Sequence, residues 1–262
     1  MPANIAAIAA KLGPVARRFD IDVLPSCDST NAVLLGRAEA GAASGTVVIA
    51  EEQTAGRGRR GRTWFASPGD SLTFSLLWRF AGLPARLSGL SLAVGVALAR
   101  ALEGLGARDV CLKWPNDVLL RQGESYAKLA GILIELSSDR RGTQVVIGIG
   151  LNLLPPTGDL PQPAAGLNQA LVGEQERHLV LAAILAALAE VLDVFAATGF
   201  AGIKADWQQR HAWQGERVRL QGEGEAESSG YCRGVDDDGA LLLETASGVQ
   251  RIFSGDVSLR RA

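Results

Sequence analysis

The chain has 262 residues, 47% hydrophobic and 21% charged, with 26 Lys and Arg against 28 Asp and Glu for a net charge of -2. That length suits one large domain, or a large one plus a small one, with a sizeable core. The slightly acidic balance argues against a dedicated nucleic-acid binder, and three scattered cysteines (Cys27, Cys111, Cys232) with two histidines (His178, His211) argue against a disulfide framework or a zinc site.

The segment Pro2–Gly13 lacks a basic lead and reads as a short amphipathic helix rather than a signal peptide. No run reaches the roughly 20 apolar residues of a membrane helix, so a soluble, cytoplasmic chain with reduced cysteines is expected. A helix is predicted over Asn31–Ala40, with Ser29 or Thr30 as its cap. Thr46–Ala50 (TVVIA) and Ser71–Arg79 read as strands, and Leu87–Leu105 as an Ala/Leu-rich helix ended by Gly104 and Gly106. Asp109–Lys113 is a short strand, and Pro115-Asn116-Asp117 turns into another, Val118–Leu120. Leu129–Leu136 and Gln144–Ile149 are adjacent strands joined by a polar turn, SSDRRG. Leu154–Gly166, with Pro155, Pro156, Pro161 and Pro163, is a long loop, a feature often functional in compact domains. Helices are predicted over His178–Ala197 and Ile203–Trp213. Short strands at Arg217–Leu220, Gly230–Val235, Ala240–Glu244 and Gln250–Phe253 then suggest a small all-β barrel, with a boundary near Gln214. There is no internal repeat.

The most informative stretch is Gln53–Trp64, QTAGRGRRGRTW. Glycine lets backbone amides approach a ligand closely, and arginine offers a planar cationic fork suited to phosphate and carboxylate. The interleaving describes a loop that wraps an anion rather than a merely solvated basic face. Gly56, Gly58 and Gly61 also spell the dinucleotide fingerprint G-x-G-x-x-G, but that motif needs a helix directly after it. Here Pro68-Gly69 turns the chain into a strand, so the Rossmann reading fails, and no P-loop sequence is present.

Four ordered segments resemble the catalytic domain of biotin–protein ligases. They are Ser29-Thr30-Asn31, Gln53 with Gly56–Trp64, KWPND at Lys113–Asp117, and KLAGILIE at Lys128–Glu135 followed by GIGLN at Gly148–Asn152. GALLLE at Gly239–Glu244 matches the family's small barrel. The resemblance implies an α+β fold, with helices packed on a mixed sheet of the class II synthetase/biotin ligase kind. It also implies a small C-terminal SH3-like β-barrel, giving a catalytic domain at 1–213 and a barrel domain at 214–262. It implies an ATP-dependent ligase that converts biotin to biotinyl-5′-AMP and pyrophosphate. The biotinyl group then passes to a lysine of a biotin carboxyl carrier protein.

Two anions must meet in the first step, and unit charges about 4 Å apart repel by about 4 kcal/mol at a surface-like dielectric. By resemblance Lys128 and Arg57 are the catalytic cations, Lys128 stabilising charge as it develops. The resemblance assigns biotin to Ser29, Thr30, Asn31, Gln53, Gly56, Arg57, Gly58, Arg59, Lys128 and Gly131. It assigns ATP to Arg57, Arg59, Arg60, Trp64, Lys113, Asn116, Asp117, Lys128 and Asn152, with adenine between Trp64 and Asn152. Asp117 is the candidate for Mg²⁺, otherwise held by substrate phosphates. The glycine-rich loop and Leu154–Gly166 are candidate lids over the labile anhydride, and Arg59 is the position tied to retaining the adenylate.

Some family members carry an N-terminal helix-turn-helix. The 28 residues before Ser29 are too few for one, so a monofunctional ligase without nucleic-acid or membrane partners is expected. A homodimer is left open. The segment Val118–Ala127 between the two motifs is expected to extend a hairpin. A lipoyl or octanoyl transferase of related fold would lack GRGRRG and KWPND. A DNA-binding regulator would use the arginine loop as a phosphate patch and bind with steep salt dependence.

Overall fold

The computed structural model describes residues 4–139, 142–158, 160, 162–173, 176–222, 228–253 and 257–261. Helix α1 (Ile5–Leu12) starts where the Asn4 side chain accepts a bond from the Ala7 N–H at 3.1 Å. Strand β1 (Asp20–Leu24) follows, then α2 (Thr30–Glu39), β2 (Thr46–Ala50) and β3 (Ser71–Phe80). Next come α3 (Leu90–Gly104), β4 (Val110–Lys113), β5 (Asp117–Gln122), β6 (Ser125–Asp139) and β7 (Gly142–Asn152). These strands form one mixed sheet in the order β1-β2-β3-β7-β6-β5-β4, parallel only at β1-β2. Helices α4 (Arg177–Thr198) and α5 (Lys204–Arg210) complete this part. Strands β8 (Arg217–Gly222), β9 (Ser228–Val235), β10 (Leu241–Thr245), β11 (Gly248–Ile252) and β12 (Val257–Arg261) form an antiparallel sheet in the order β11-β10-β9-β8-β12. The expected α+β class is what the structure has.

The predicted strands and helices lie close to the observed ones, with four differences. Strand β1 at the parallel edge and β12 at the C-terminus were not expected. The helix expected over Ile203–Trp213 stops at Arg210, because His211 turns into the core beside β4. The turn SSDRRG is shorter than expected, since Ser137 and Ser138 belong to β6; Arg140 and Arg141 lie outside the described residues, as do Asp159 and Pro161 of the long loop and Met1–Ala3. Two helical stretches, Pro84–Gly104 and Arg177–Thr198, do reach the length and hydropathy of a membrane span, contrary to expectation. Both are somewhat more than half buried, where α3 and α4 pack on each other, which is how a core helix meets the same length and hydropathy.

The sheet separates two apolar layers. Its broad face packs Val47, Ile49, Phe74 and Leu76 against α1, α3 and α4. On the other face α2 lays Leu34 and Ala38 on Val48, Leu77 and Val146. Period-two alternation then decides what lies beyond the start of α2. On β3 the residues following Leu77 on that face are Ser75 and Thr73; on β7, after Val146, they are Gly148, Gly150 and Asn152. Large side chains hold the helix, and small ones beside its N-terminus leave a hollow.

Candidate active site

That hollow is a cavity of about 650 Å³. Every residue assigned by resemblance to biotin or ATP lines it, apart from Gly56. The Gly56 carbonyl accepts the Trp64 N–H at 2.9 Å, and a Cβ there would meet the Trp64 carbonyl at 2.6 Å. Gly56 therefore closes the base of the arginine loop and is not part of the cavity lining.

The arginine loop is a miniature hairpin. Arg57 pairs with Thr63, and the Gly58 N–H donates to the Arg62 carbonyl at 2.7 Å. Arg59–Gly61 form its tip, with Arg60 in the left-handed region at φ 61°. From there Arg59 reaches Asn116 Oδ1 at 3.3 Å. After the tip the chain extends into β3, with no helix, as the rejection of the dinucleotide motif required.

At one end of the cavity lies a buried polar cluster on the first turn of α2. The Thr30 N–H and hydroxyl both donate to Gln53 Oε1, at 2.8 and 3.1 Å. The Ser75 hydroxyl lies 2.7 Å from Thr30 Oγ1 and 2.6 Å from Asn31 Oδ1. Asn31 Nδ2 donates to Glu135 Oε2 at 2.7 Å, and the other Glu135 oxygen accepts from Arg57 at 2.9 Å. Ser29 sits at the cap position, as expected, but its side chain makes no capping bond. Ser29 is among the residues that line the cavity.

At the other end Asp117 bridges two lysines. Lys113 Nζ lies 2.8 Å from one carboxylate oxygen and Lys128 Nζ 2.6 Å from the other. Burial by itself raises the Asp117 pKa, but Lys128 and Lys113 outweigh it and hold the carboxyl below the usual carboxylate range. Burial pushes Lys113 down, against the opposing pull of Asp117. With both oxygens bound to ammonium groups, Asp117 does not fit the role of Mg²⁺ ligand expected for it. Among the described residues no cluster of three His, Cys, Asp or Glu could hold a metal.

A bulge aims Lys128. Val118 pairs with Ala130 but Leu119 pairs with Lys128, so Leu129 is an extra residue in β6. The inserted residue shifts the alternation by one, bringing Lys128 to the face of Gly131; a Cβ on Gly131 would lie 3.2 Å from Lys128 Nζ. The long loop secures the bulge: the Lys128 N–H donates to the Pro163 carbonyl at 2.8 Å, and the Ala165 N–H to the Lys128 carbonyl at 2.9 Å. The expected hairpin between the two motifs is present, as β5 and β6.

Between the two ends the floor is glycine. Gly131 and Gly150 are direct partners across β6 and β7, and Trp64 lies on them; a Cβ on Gly150 would meet the indole at 2.3 Å. Lys128 Nζ stands 5.5 Å from the Trp64 ring centre. Asn152 donates from Nδ2 to the carbonyls of Ala165 and Lys128, at 3.1 and 3.3 Å.

Sequence reasoning missed Ser75, Glu135, Gly148 and Arg260. Arg260, on β12 of the C-terminal sheet, lines the cavity and donates to Gln162 of the long loop at 3.0 Å. Burial lowers its pKa, while Asp117 acts in the opposite direction. Glu135 and Gly148 were inside quoted motifs, and strand alternation from Gly131 and Asn152 puts both on the sheet face that carries the cavity, Gly148 in its lining and Glu135 outside it. Ser75 and Arg260 carried no such signal.

Residues 23–152 match the biotin/lipoate A/B protein ligase family, and residues 215–260 the biotin protein ligase C-terminal domain. The bifunctional ligase/repressor BirA of Escherichia coli (strain K12) is 38% identical over 251 residues, covering 92% of this chain and 74% of that protein. A biotin–[acetyl-CoA-carboxylase] ligase of Paracoccus denitrificans is 38% identical over 247 residues, covering 90% of this chain and 98% of that protein. The biotin protein ligase from Aquifex aeolicus, solved in complex with biotin and ATP, superposes with a TM-score of 0.77 at 32% identity, covering 93% of this chain and 99% of that one. With this agreement in sequence along both parts of the chain and in fold, the chain belongs to the biotin protein ligase family.

Proposed function

We propose that the chain joins biotin to AMP at the expense of ATP and then biotinylates a lysine of a biotin carboxyl carrier protein. The observation that carries this reading is one cavity with a cluster of hydroxyls and amides at one end, backed by the Arg57–Glu135 pair, and a Lys113–Asp117–Lys128 cluster at the other. The first end suits the uncharged ureido ring of biotin, through Ser29, Thr30, Asn31 and Gln53. The second suits the carboxylate and the triphosphate.

In the first step a carboxylate oxygen of biotin attacks the α-phosphorus, and the bond to pyrophosphate breaks. Lys128 and Arg57 offset the repulsion between the reactants and stabilise the charge that develops on the phosphoryl oxygens. Lys113, Arg59, Arg60 and Asn116 take the phosphates, while Trp64 and Asn152 take adenine. Magnesium enters with ATP, on the phosphates, and no step here is assigned to it. In the second step the carrier amine attacks the biotinyl carbonyl, the bond to AMP breaks, and the amine loses a proton. The Gly56–Trp64 hairpin and the loop that pairs with Lys128 shield the anhydride from water.

The names of the relatives, which specify acetyl-CoA carboxylase, support a carrier of that kind. We further propose a division into a catalytic domain at 1–213 and a small domain at 214–262, and a cytoplasmic location. Nothing favours a lipoyl substrate. The test is to supply biotin and MgATP and to measure pyrophosphate and biotinyl-AMP. The intact chain should produce both, and Lys128→Ala and Arg57→Ala should each slow production by at least about a hundredfold, the scale of a lost transition-state contact. Near-normal rates in both variants would refute the assignment.

A further inference from the structure

Glu135 does not line the cavity, yet it touches two of the residues that do. Its carboxylate accepts from Asn31 Nδ2 at 2.7 Å on one oxygen and from Arg57 at 2.9 Å on the other. An ionised carboxylate has no proton to give, so it accepts only. It therefore dictates which end of the Asn31 amide faces it. The nitrogen must point at Glu135, and Oδ1 must point the other way, towards the Ser75 hydroxyl 2.6 Å off. Asn31 is buried, and its amide lies directly on the sheet: a Cβ on Gly148 would come 2.2 Å from Oδ1. The Leu133 carbonyl, 3.4 Å from Nδ2, favours the same orientation at longer range, and the Ser75 hydroxyl can donate or accept, so the short contact to Glu135 is the strongest one that tells the two ends of the amide apart.

We infer that Glu135 is a positioning residue for biotin, acting through Asn31 by fixing its oxygen as an acceptor for a ring N–H. This rests on the reading of the cavity as a biotin site. The neighbouring pair is polarised independently, since Gln53 Oε1 is taken up by both Thr30 donors and its Nε2 is left to donate. The cluster thus offers an acceptor beside a donor, complementary to a cyclic urea with its N–H and C=O groups. Glu135 sets the acceptor half.

The test is Glu135→Gln, which preserves size but can present either a donor or an acceptor to Asn31. Biotin binding to the full chain is measured by calorimetry without ATP, for the unsubstituted chain, Glu135→Gln, Asn31→Ala and the double variant. The KM for ATP is measured at saturating biotin. Glu135→Gln should weaken biotin binding about tenfold, leave the KM for ATP within about twofold, and add no further loss on top of Asn31→Ala. Biotin affinity within twofold of the unsubstituted chain overturns the inference, as do additive losses in the double variant or equal losses for biotin and ATP. If the unsubstituted chain takes up no biotin, the functional reading falls first and this inference with it.

Discussion

Asp117→Asn removes the negative charge that two lysines share. Lys113 and Asp117 are both buried, with side chains only 5% and 9% exposed. Lys128 stands on the other oxygen at 2.6 Å. After the substitution the two ammonium groups face each other across a neutral amide. At an effective dielectric near 20, unit charges about 5 Å apart repel by about 3 kcal/mol. Removing one partner of a buried pair costs about 3–5 kcal/mol by a separate route. Both lead to a loss of about 3 kcal/mol, or on the order of 10 °C in melting temperature for a chain of this size. The pH dependence gives a second signature. Burial already depresses the Lys113 pKa, and Asp117 is what opposes it. Without Asp117 the folded value drops further below the unfolded one. Between those two values the unfolded state binds more protons, so stability rises with pH. Asp117→Asn should therefore regain stability on the alkaline side of neutrality more steeply than the unsubstituted chain. Urea unfolding from pH 7 to 10 measures this. A variant that unfolds within about 0.5 kcal/mol of the original at pH 7, with the same alkaline slope, would refute the shared-charge account.

Gly148→Ala would put a methyl group 2.2 Å from Asn31 Oδ1, so the KM for biotin should rise at least tenfold while the KM for ATP stays put; steady-state pyrophosphate release separates the two. His211 is buried at the end of α5, where burial lowers its pKa to about 4 against a weaker upward pull from Gln214. The unfolded chain takes up that proton near pH 6.5, so the stability that neutral His211 supplies is lost as pH falls through the window from about 6.5 to 4, by about 1.4 kcal/mol per unit. His211→Gln should flatten that slope, and an unchanged slope in urea titrations at pH 7 and 5 rules the histidine out. Arg59→Gly should still make biotinyl-AMP but release it, so free adenylate rises in a dialysed reaction; synthesis without extra release contradicts a retaining role for the loop tip.

The elements that sequence reasoning found are those with one strong period or one strong stop. TVVIA is buried on both faces, and α4 is a long, mostly apolar run, so both stand out without context. Strand β1 is half-exposed, contains two aspartates, and exists because the parallel pairing with β2 holds it, which no local pattern reveals. The helix ending at Arg210 was overrun because Trp207, His211 and Trp213 keep an apolar rhythm after the backbone has left the helix. In the site, motifs told which residues gather but not how they bond. Asp117 reads as a metal ligand in sequence; only the approach of Lys128 across the β5–β6 pair turns it into a bridge between cations. Gly56 reads as a ligand contact, and only the return of Trp64 shows that it also closes the base of the loop. Arg260 arrives from the far end of the chain, a separation over which sequence offers no rule.

The glycine floor explains why Trp64 belongs to the chemistry rather than the core. A sheet loses stability at glycine, which has no side chain to pack and the most entropy to lose. Pairing Gly131 with Gly150 in the middle of the sheet accepts that loss twice over. What it gains is a flat strip on which a planar group can lie at van der Waals distance. Trp64 occupies the strip with its buried Nε1 donor without a hydrogen-bond partner, among the described residues. An unmet buried donor costs about 1–3 kcal/mol, so the indole is held there by dispersion and by Lys128 above it, not by directional bonds. Such a side chain is cheap to displace and can stack on whatever planar group arrives. Trp114, fully buried, is built the other way: it donates its Nε1 to the Gly239 carbonyl at 3.1 Å.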